Sequence, residues 1–153
     1  MRRRRLAASS WSWHAPYYAG EWSLLDLPRS ARKAGVEHIE CNDFMLPPPR
    51  LSRLRQPLLR LLPGAPPELW RYSRATLEQL AENAGAEDVN VLTWTINSDF
   101  SAPWWRWPAQ KLYLRRGLDA AQRLQVRLLR VNLGQHEGAD DALVARRLAD
   151  FVI

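Results

Sequence analysis

Residues 89–99 read VNVLTWTINSD, and this stretch decides the fold. Val89, Val91 and Leu92 form a β-prone apolar run that Trp94 and Thr95 extend before it breaks into Asn97, Ser98 and Asp99. A strand apolar along most of its length implies burial on both faces, as in a parallel sheet, and such sheets gather ligands at the carboxyl ends of their strands. The pattern recurs at residues 6–13 (LAASSWSW), 36–41 (VEHIEC) and 126–131 (VRLLRV), each finishing in polar or aromatic residues. In residues 6–13, alternation would set Trp11 and Trp13 on one face and Ser10 and Ser12 on the other.

Helical periodicity fills the gaps. Residues 24–34 carry Leu27, Ala31 and Ala34 at i, i+4 and i+7, with Asp26 as a cap, Pro28 in the first turn and Gly35 at the close. A second helix starts at Glu68 or Ser73 and runs to Ala84, with Leu77, Leu80, Ala81 and Ala84 inward and Gly85 ending it. A third covers residues 109–124 around Leu114, Leu118 and Ala121. A last one, capped by Asp140 or Asp141, offers Leu143, Val144, Leu148, Phe151 and Val152 as a core face. Prolines break residues 43–70 into an irregular insertion that admits at most short helices such as residues 58–62. A second irregular stretch, residues 100–108, holds Trp104, Trp105 and Trp107, which either wall a pocket or bury against the proline-rich loop. Alternating strands and helices imply a parallel sheet with right-handed crossovers. Two architectures fit: a small open doubly wound sheet, or part of a (βα)8 barrel, which as a whole needs about 250 residues. Length alone favours the first.

At 153 residues and 46% hydrophobic, the chain can bury one core, and a single domain is expected. The net charge of +6 comes from arginine, since Lys33 and Lys111 are the only lysines. Arginines are scattered through every expected helix and loop and run together only at residues 2–5, which fits a solvated surface better than a nucleic-acid groove. Cys41 is the sole cysteine, so no intrachain disulfide can form and a reducing cytoplasm is the expected compartment. No apolar run approaches the roughly 20 residues of a membrane span. Ser9, Ser10, Ser12 and His14 arrive before a signal-peptide core of about 7 to 15 apolar residues could form, and residues 1–8 read as a frayed start.

The strand ends collect Trp13 and His14, Glu40, Asn42 and Asp43, Trp94, Asn97 and Asp99, and Asn132. Carboxylate and amide side chains hold vicinal hydroxyls while an aromatic ring covers a C–H face, so this inventory suits a small-molecule sugar or polyol. Asparagine and aspartate also end strands and cap helices for purely local reasons. The substrate-binding candidates are Trp13, His14, Glu40, Asn42, Trp94, Asn97 and Asn132. Alternation puts His38 and Glu40 on one face of their strand, with Ile39 and Cys41 on the other. If that shared face lines a barrel interior, Glu40 becomes an acid, a base or a hydroxyl binder. His14, His38 and His136 fall in different units with no HxH or HExxH spacing, so no metal ligand set is read.

Taken together, SWSWH at residues 10–14, LPRSARKAGVEHIECNDF at 27–44, LTWTINSDFS at 92–101 with WPAQKLYLRRGLDAA at 107–121, and LLRVNLG at 128–134 resemble the sugar phosphate isomerase/epimerase family. The resemblance implies an α/β fold, a partial xylose isomerase-like (βα)8 TIM barrel of four parallel βα units. It also implies an activity, the interconversion of sugars or related polyols by metal-assisted proton transfer beside a carbonyl. The family's divalent metal, Mn, Mg, Co or Zn, is held by carboxylates and imidazole in the second half of the barrel. The expectation for this chain is therefore no cofactor of its own, no assigned catalytic residue, part of a substrate wall, and no activity alone. Two other readings stay open. An open four-stranded sheet could self-assemble through its exposed edges, or the basic balance could belong to a nucleic-acid-binding relative of barrel-type abasic-site endonucleases, which would need metal-binding histidines and carboxylates this chain lacks.

Overall fold

A computed structural model of the protein describes residues 6–48, 64–134 and 140–152. Four strands, β1 (Ala7–Ser9), β2 (His38–Asn42), β3 (Asn90–Ile96) and β4 (Leu128–Val131), lie side by side in chain order, every pair parallel. Parallel neighbours need crossovers between them. The helices are α1 (His14–Tyr18), α2 (Leu27–Lys33), α3 (Arg74–Ala86), α4 (Trp107–Arg123) and α5 (Asp141–Val152).

Alternation along the strands sorts the sheet into two faces. Ile39, Cys41, Trp94 and Ile96 are fully buried, and they meet Leu27 and Ala31 of α2, Leu77 and Leu80 of α3, and Tyr113, Ala120 and Ala121 of α4 in one core. The opposite face carries His38 and Glu40 of β2, Thr93 and Thr95 of β3, and Leu128 and Arg130 of β4, with Leu128 55% exposed. A doubly wound sheet covers both faces with helices. Here the described helices α2, α3 and α4 share one face, which is the arrangement of an arc of a barrel. The fold is thus α/β, a half-barrel, and the length argument for an open doubly wound sheet is overturned. The register slips between Ile39 and Glu40, where Val91 and Thr93 are their partners and Leu92 is the extra residue of a bulge.

Several local expectations need correction. Residues 6–13 are a strand only through Ser9; Ser10–Trp13 wind into a 3-10 turn because the Ser9 hydroxyl accepts the Trp11 N–H and starts a cap. Trp11 and Trp13 therefore do not alternate along a strand. Asp26 acts within a capping box with Ser23 around the turn Leu24–Asp26, rather than as a side-chain cap of α2. Ser73, not Glu68, caps α3, and Glu68 belongs to a separate 3-10 turn, Pro67–Trp70. Gly85 lies inside α3, and Asp88 takes the left-handed position (φ 52°) beyond it. Ala81 is exposed. In α5 the buried residue is Arg147, while Leu143, Val144, Leu148 and Phe151 are half-buried. The short helix expected at residues 58–62, the arginines at 2–5 and His136 lie outside the described residues. Among the described residues, no helix is long and apolar enough to cross a membrane.

Gly117 packs α4 onto β3, and a Cβ there would stand 2.1 Å from Ile96 Cδ1 and 2.8 Å from its Cγ1. Ile96 is fully buried, so its side chain can give way only by displacing other core atoms. Gly117→Ala should therefore destabilise by about 1–2 kcal/mol, since the overpacking outweighs the gain of roughly 1 kcal/mol in helix propensity. A urea melt followed by circular dichroism checks this, and an unchanged or raised midpoint would contradict it.

Candidate functional site

The strands end together at one rim, and beyond the ends of β3 and β4 lies a cavity of about 760 Å³. Its floor is Asn97, Ser98 and Asp99 from the end of β3, with Arg130, Asn132 and Gly134 from β4 and the residues after it. Pro66, Pro67 and Glu68 wall it from the close of the proline-rich insertion, and Arg106 and Gln110 from the start of α4. A volume of this size suits a small-molecule ligand.

The mouth is tied strand to strand. Asn132 Nδ2 donates to Asn97 Oδ1 at 3.1 Å; Ser98 Oγ donates to the Asn132 carbonyl at 2.9 Å and accepts the Asn132 N–H at 3.1 Å. The Asp99 N–H reaches Gln110 Oε1 at 3.3 Å, and Asp99 Oδ1 accepts both the N–H and the hydroxyl of Ser101. Gly134 (φ +97°) crosses so close that a Cβ would fall 2.0 Å from Asp99 Oδ1, so only glycine fits. The arrangement leaves Asn97, Asn132 and Gln110 as amide groups at the cavity, flanked by Glu68, Arg106 and Arg130.

Beneath the mouth sits Asp43, fully buried just past β2. The Tyr72 and Tyr113 hydroxyls donate to its Oδ2, Tyr72 at 2.6 Å, and the Asn97 N–H donates to its Oδ1 at 3.2 Å. Burial pushes the Asp43 carboxyl up to about 6, against the lowering effect of the hydrogen bonds from Tyr113, Tyr72 and Asn97. Burial and the neighbouring carboxylate also push both phenols well above their usual range.

On the open face, Glu40 Oε1 accepts from Thr95 Oγ1 at 2.8 Å and from Arg130 Nη1 at 3.1 Å. Partial burial works to raise its carboxyl, but the hydrogen bonds from Thr95, Arg130 and Ser9 and the Arg130 charge prevail, leaving it below the ordinary carboxylate value. Glu40 thus points to the side that is the interior of a barrel.

Of the seven candidates read from sequence, Asn97 and Asn132 line the cavity. Arg130 joins Glu40 to it. Asn42 is buried and spends its amide on Ser9 and Ser10, tying the end of β1 to β2. Trp94 is a correction: it has 0% exposure and packs beside Tyr72 on the helix face, because alternation turns it away from the open face. Trp13 stacks on Trp22, and His14 on Trp11 with its Nδ1 2.8 Å from the Trp11 carbonyl, so neither lines this cavity. Of the tryptophan trio, Trp107 opens α4 under Arg147, while Trp104 is 82% and Trp105 50% exposed.

Glu68, Arg106 and Gln110 were not anticipated. Gln110 had a signal, since it falls at the helical spacing of Leu114, Gly117 and Ala121 and so had to face inward. Arg147 had one too, being i+3 from Val144 and four short of Phe151; it donates to the carbonyls of Phe100 and Ala102 at 2.7 and 2.6 Å and clamps the loop after β3. Glu68 sits in a short 3-10 turn and Arg106 just before α4, where no periodic signal exists.

The divalent metal implied by the family resemblance needs several converging carboxylate or imidazole ligands. Among the described residues no group of three His, Cys, Asp or Glu side chains could hold a metal ion. These residues do not fit the metal.

No family model and no curated protein matches the sequence. Among solved structures, the chain is similar to a crystal structure of D-psicose 3-epimerase in the presence of D-fructose, with a TM-score of 0.62 and 14% identity. The likeness covers 97% of this chain and 46% of that one, so the chain spans about half the length of the structure it matches. Fold and rim together define the class, half of a TIM barrel with its strand-end mouth. The matched structure is of an epimerase, and at 14% identity the likeness is one of fold.

The raised Asp43 value carries a sign. The folded chain holds this proton up to about 6, whereas an ordinary aspartate releases it near 3.8, so the associated stability is fully present below about 3.8 and is lost as pH rises to about 6. Relative to Asp43→Asn, the wild type should lose on the order of 2 kcal/mol across that window. Urea melts of both proteins at several pH values measure the difference, and a constant difference would refute it.

Proposed function

We propose that this chain forms the substrate wall of a sugar- or polyol-binding site in a barrel of the isomerase/epimerase type. The observation that carries the proposal is the pair Asn97–Asn132, joined at 3.1 Å with Gln110 beside it, at the carboxyl ends of two parallel strands on a cavity of monosaccharide size. Amides present donor and acceptor together, which is what a hydroxyl needs from a partner. The fold likeness to an enzyme crystallised with a ketohexose points the same way. In this reading Asn97, Asn132 and Gln110 orient hydroxyls, Glu40 and Arg130 set the charge next to them, and the Asp43 cluster keeps the Asn97 backbone in place. Proton transfer beside a carbonyl, and the divalent metal that assists it, belong to ligands outside the described residues. The reading places the protein in the cytoplasm, with Cys41 a buried thiol whose burial pushes its ionisation up and out of reach.

Binding is tested by ligand-observed NMR titration with D-fructose and D-psicose. Saturable binding is expected at millimolar strength from a half-walled pocket, with Asn132→Ala weakening it at least tenfold, or roughly 1.4 kcal/mol. That substitution leaves the backbone bonds to Ser98 intact, so fold and binding separate. No saturable binding by the wild type would refute the proposal. Alone with Mn²⁺, the chain should show no epimerisation, and turnover would refute that part.

A further inference from the structure

The sheet has two free ends. Among the described residues β1 pairs only with β2 and β4 only with β3, and both edges run in the same direction. The face between them that a closed barrel fills with side chains is open, with Leu128 55% exposed, while Leu6 just before β1 is 72% exposed. Leu128 is the first residue of β4 and Leu6 immediately precedes β1, so each free edge bears an exposed leucine at its amino end. Beside Leu6 lies a recess of about 300 Å³ that is also lined by Ala7, His38 and Leu92.

From these edges we infer that a second copy of this chain closes the barrel. Two half-barrels related by a two-fold axis along the barrel would set β4 against β1 of the second copy, and β1 against its β4, every contact parallel. This contact is isologous and leaves no free edge. It sets each Leu128 against the amino end of the other copy's β1. The match to 46% of a full barrel agrees, because two such lengths make up nearly the whole. Glu40 and Arg130 pair within each copy on the inner face, so closure would not leave either of these two charges alone.

The closure completes the mouth. The cavity lies beyond β3 and β4, so the next strand around the rim is β1 of the second copy. Its following turn, with Trp13 and His14, becomes part of the wall. Within one copy these two residues do not line that cavity. The inference stands on the half-barrel fold and does not depend on what the cavity binds.

Sedimentation equilibrium tests it. At 100 µM the chain should be a dimer of twice 17.7 kDa. Leu128→Lys should weaken the dimer at least tenfold with an unchanged far-ultraviolet spectrum. A monomeric wild type would overturn the proposal. An open-ended ladder of oligomers would also overturn it, since a two-fold contact closes on itself. Should Leu128→Lys fail to fold, mixing an Ala7→Cys protein with a Leu128→Cys protein decides, since both positions lie on the open face. A disulfide between the two is expected, and its absence refutes the closure; the native Cys41 is buried and does not compete.

Discussion

A single buried carboxylate holds the rim of this protein together. Asp43 leaves the end of β2 and takes hydrogen bonds from Tyr72 just before α3, from Tyr113 on α4, and from the Asn97 backbone at the end of β3. Four segments distant in sequence thus meet at one side chain with no exposure to solvent. An unpaired buried carboxylate is costly, so the site persists only because three donors satisfy it. The price is a carboxyl shifted upward, and the return is a fixed backbone at Asn97, from which the amide mouth is built.

The same economy of buried polar groups recurs around the rim. Arg71 donates to the carbonyls of Phe44 and Leu46 and to the Tyr17 hydroxyl, fastening the loop after β2. Arg147 does the corresponding work for Phe100 and Ala102 after β3 and lies 4.3 Å over the Trp107 ring. Arginine suits both tasks because a planar guanidinium reaches several carbonyls while staying charged. A chain whose basic balance looks like surface charge in composition therefore commits some of that charge to internal clamps. The loops that shape the cavity are held by these clamps, which leaves the amides of Asn97, Asn132 and Gln110 at it beside Glu68, Arg106 and Arg130.

Much of the architecture was legible in the chain. The order of strands and helices follows from apolar runs and 3.6-residue periodicity, and alternation correctly separated Ile39 and Cys41 from His38 and Glu40. Alternation also had the means to withdraw Trp94 from the mouth, since a residue of the same phase as Ile96 must share its face. The failures at residues 10–13 and 85–88 are local: a serine hydroxyl caps a turn in one, and an aspartate adopts a left-handed backbone in the other. Neither is visible to hydrophobic pattern, because both depend on a side chain or a single backbone angle.

What the sequence determined by itself was the set of elements, their parallel order and the polar character of the strand ends, because these arise from neighbours one to four residues apart. Which polar residues face the cavity was decided by tertiary structure alone. Asn42 and Asn97 are alike in sequence, each an amide at the end of an apolar strand. Ser9 and Ser10 happen to stand beside the first and consume it, while the second meets Asn132 from the next strand and remains at the cavity. The difference lies in what the fold brings within hydrogen-bonding distance, and those partners are more than 30 residues away along the chain.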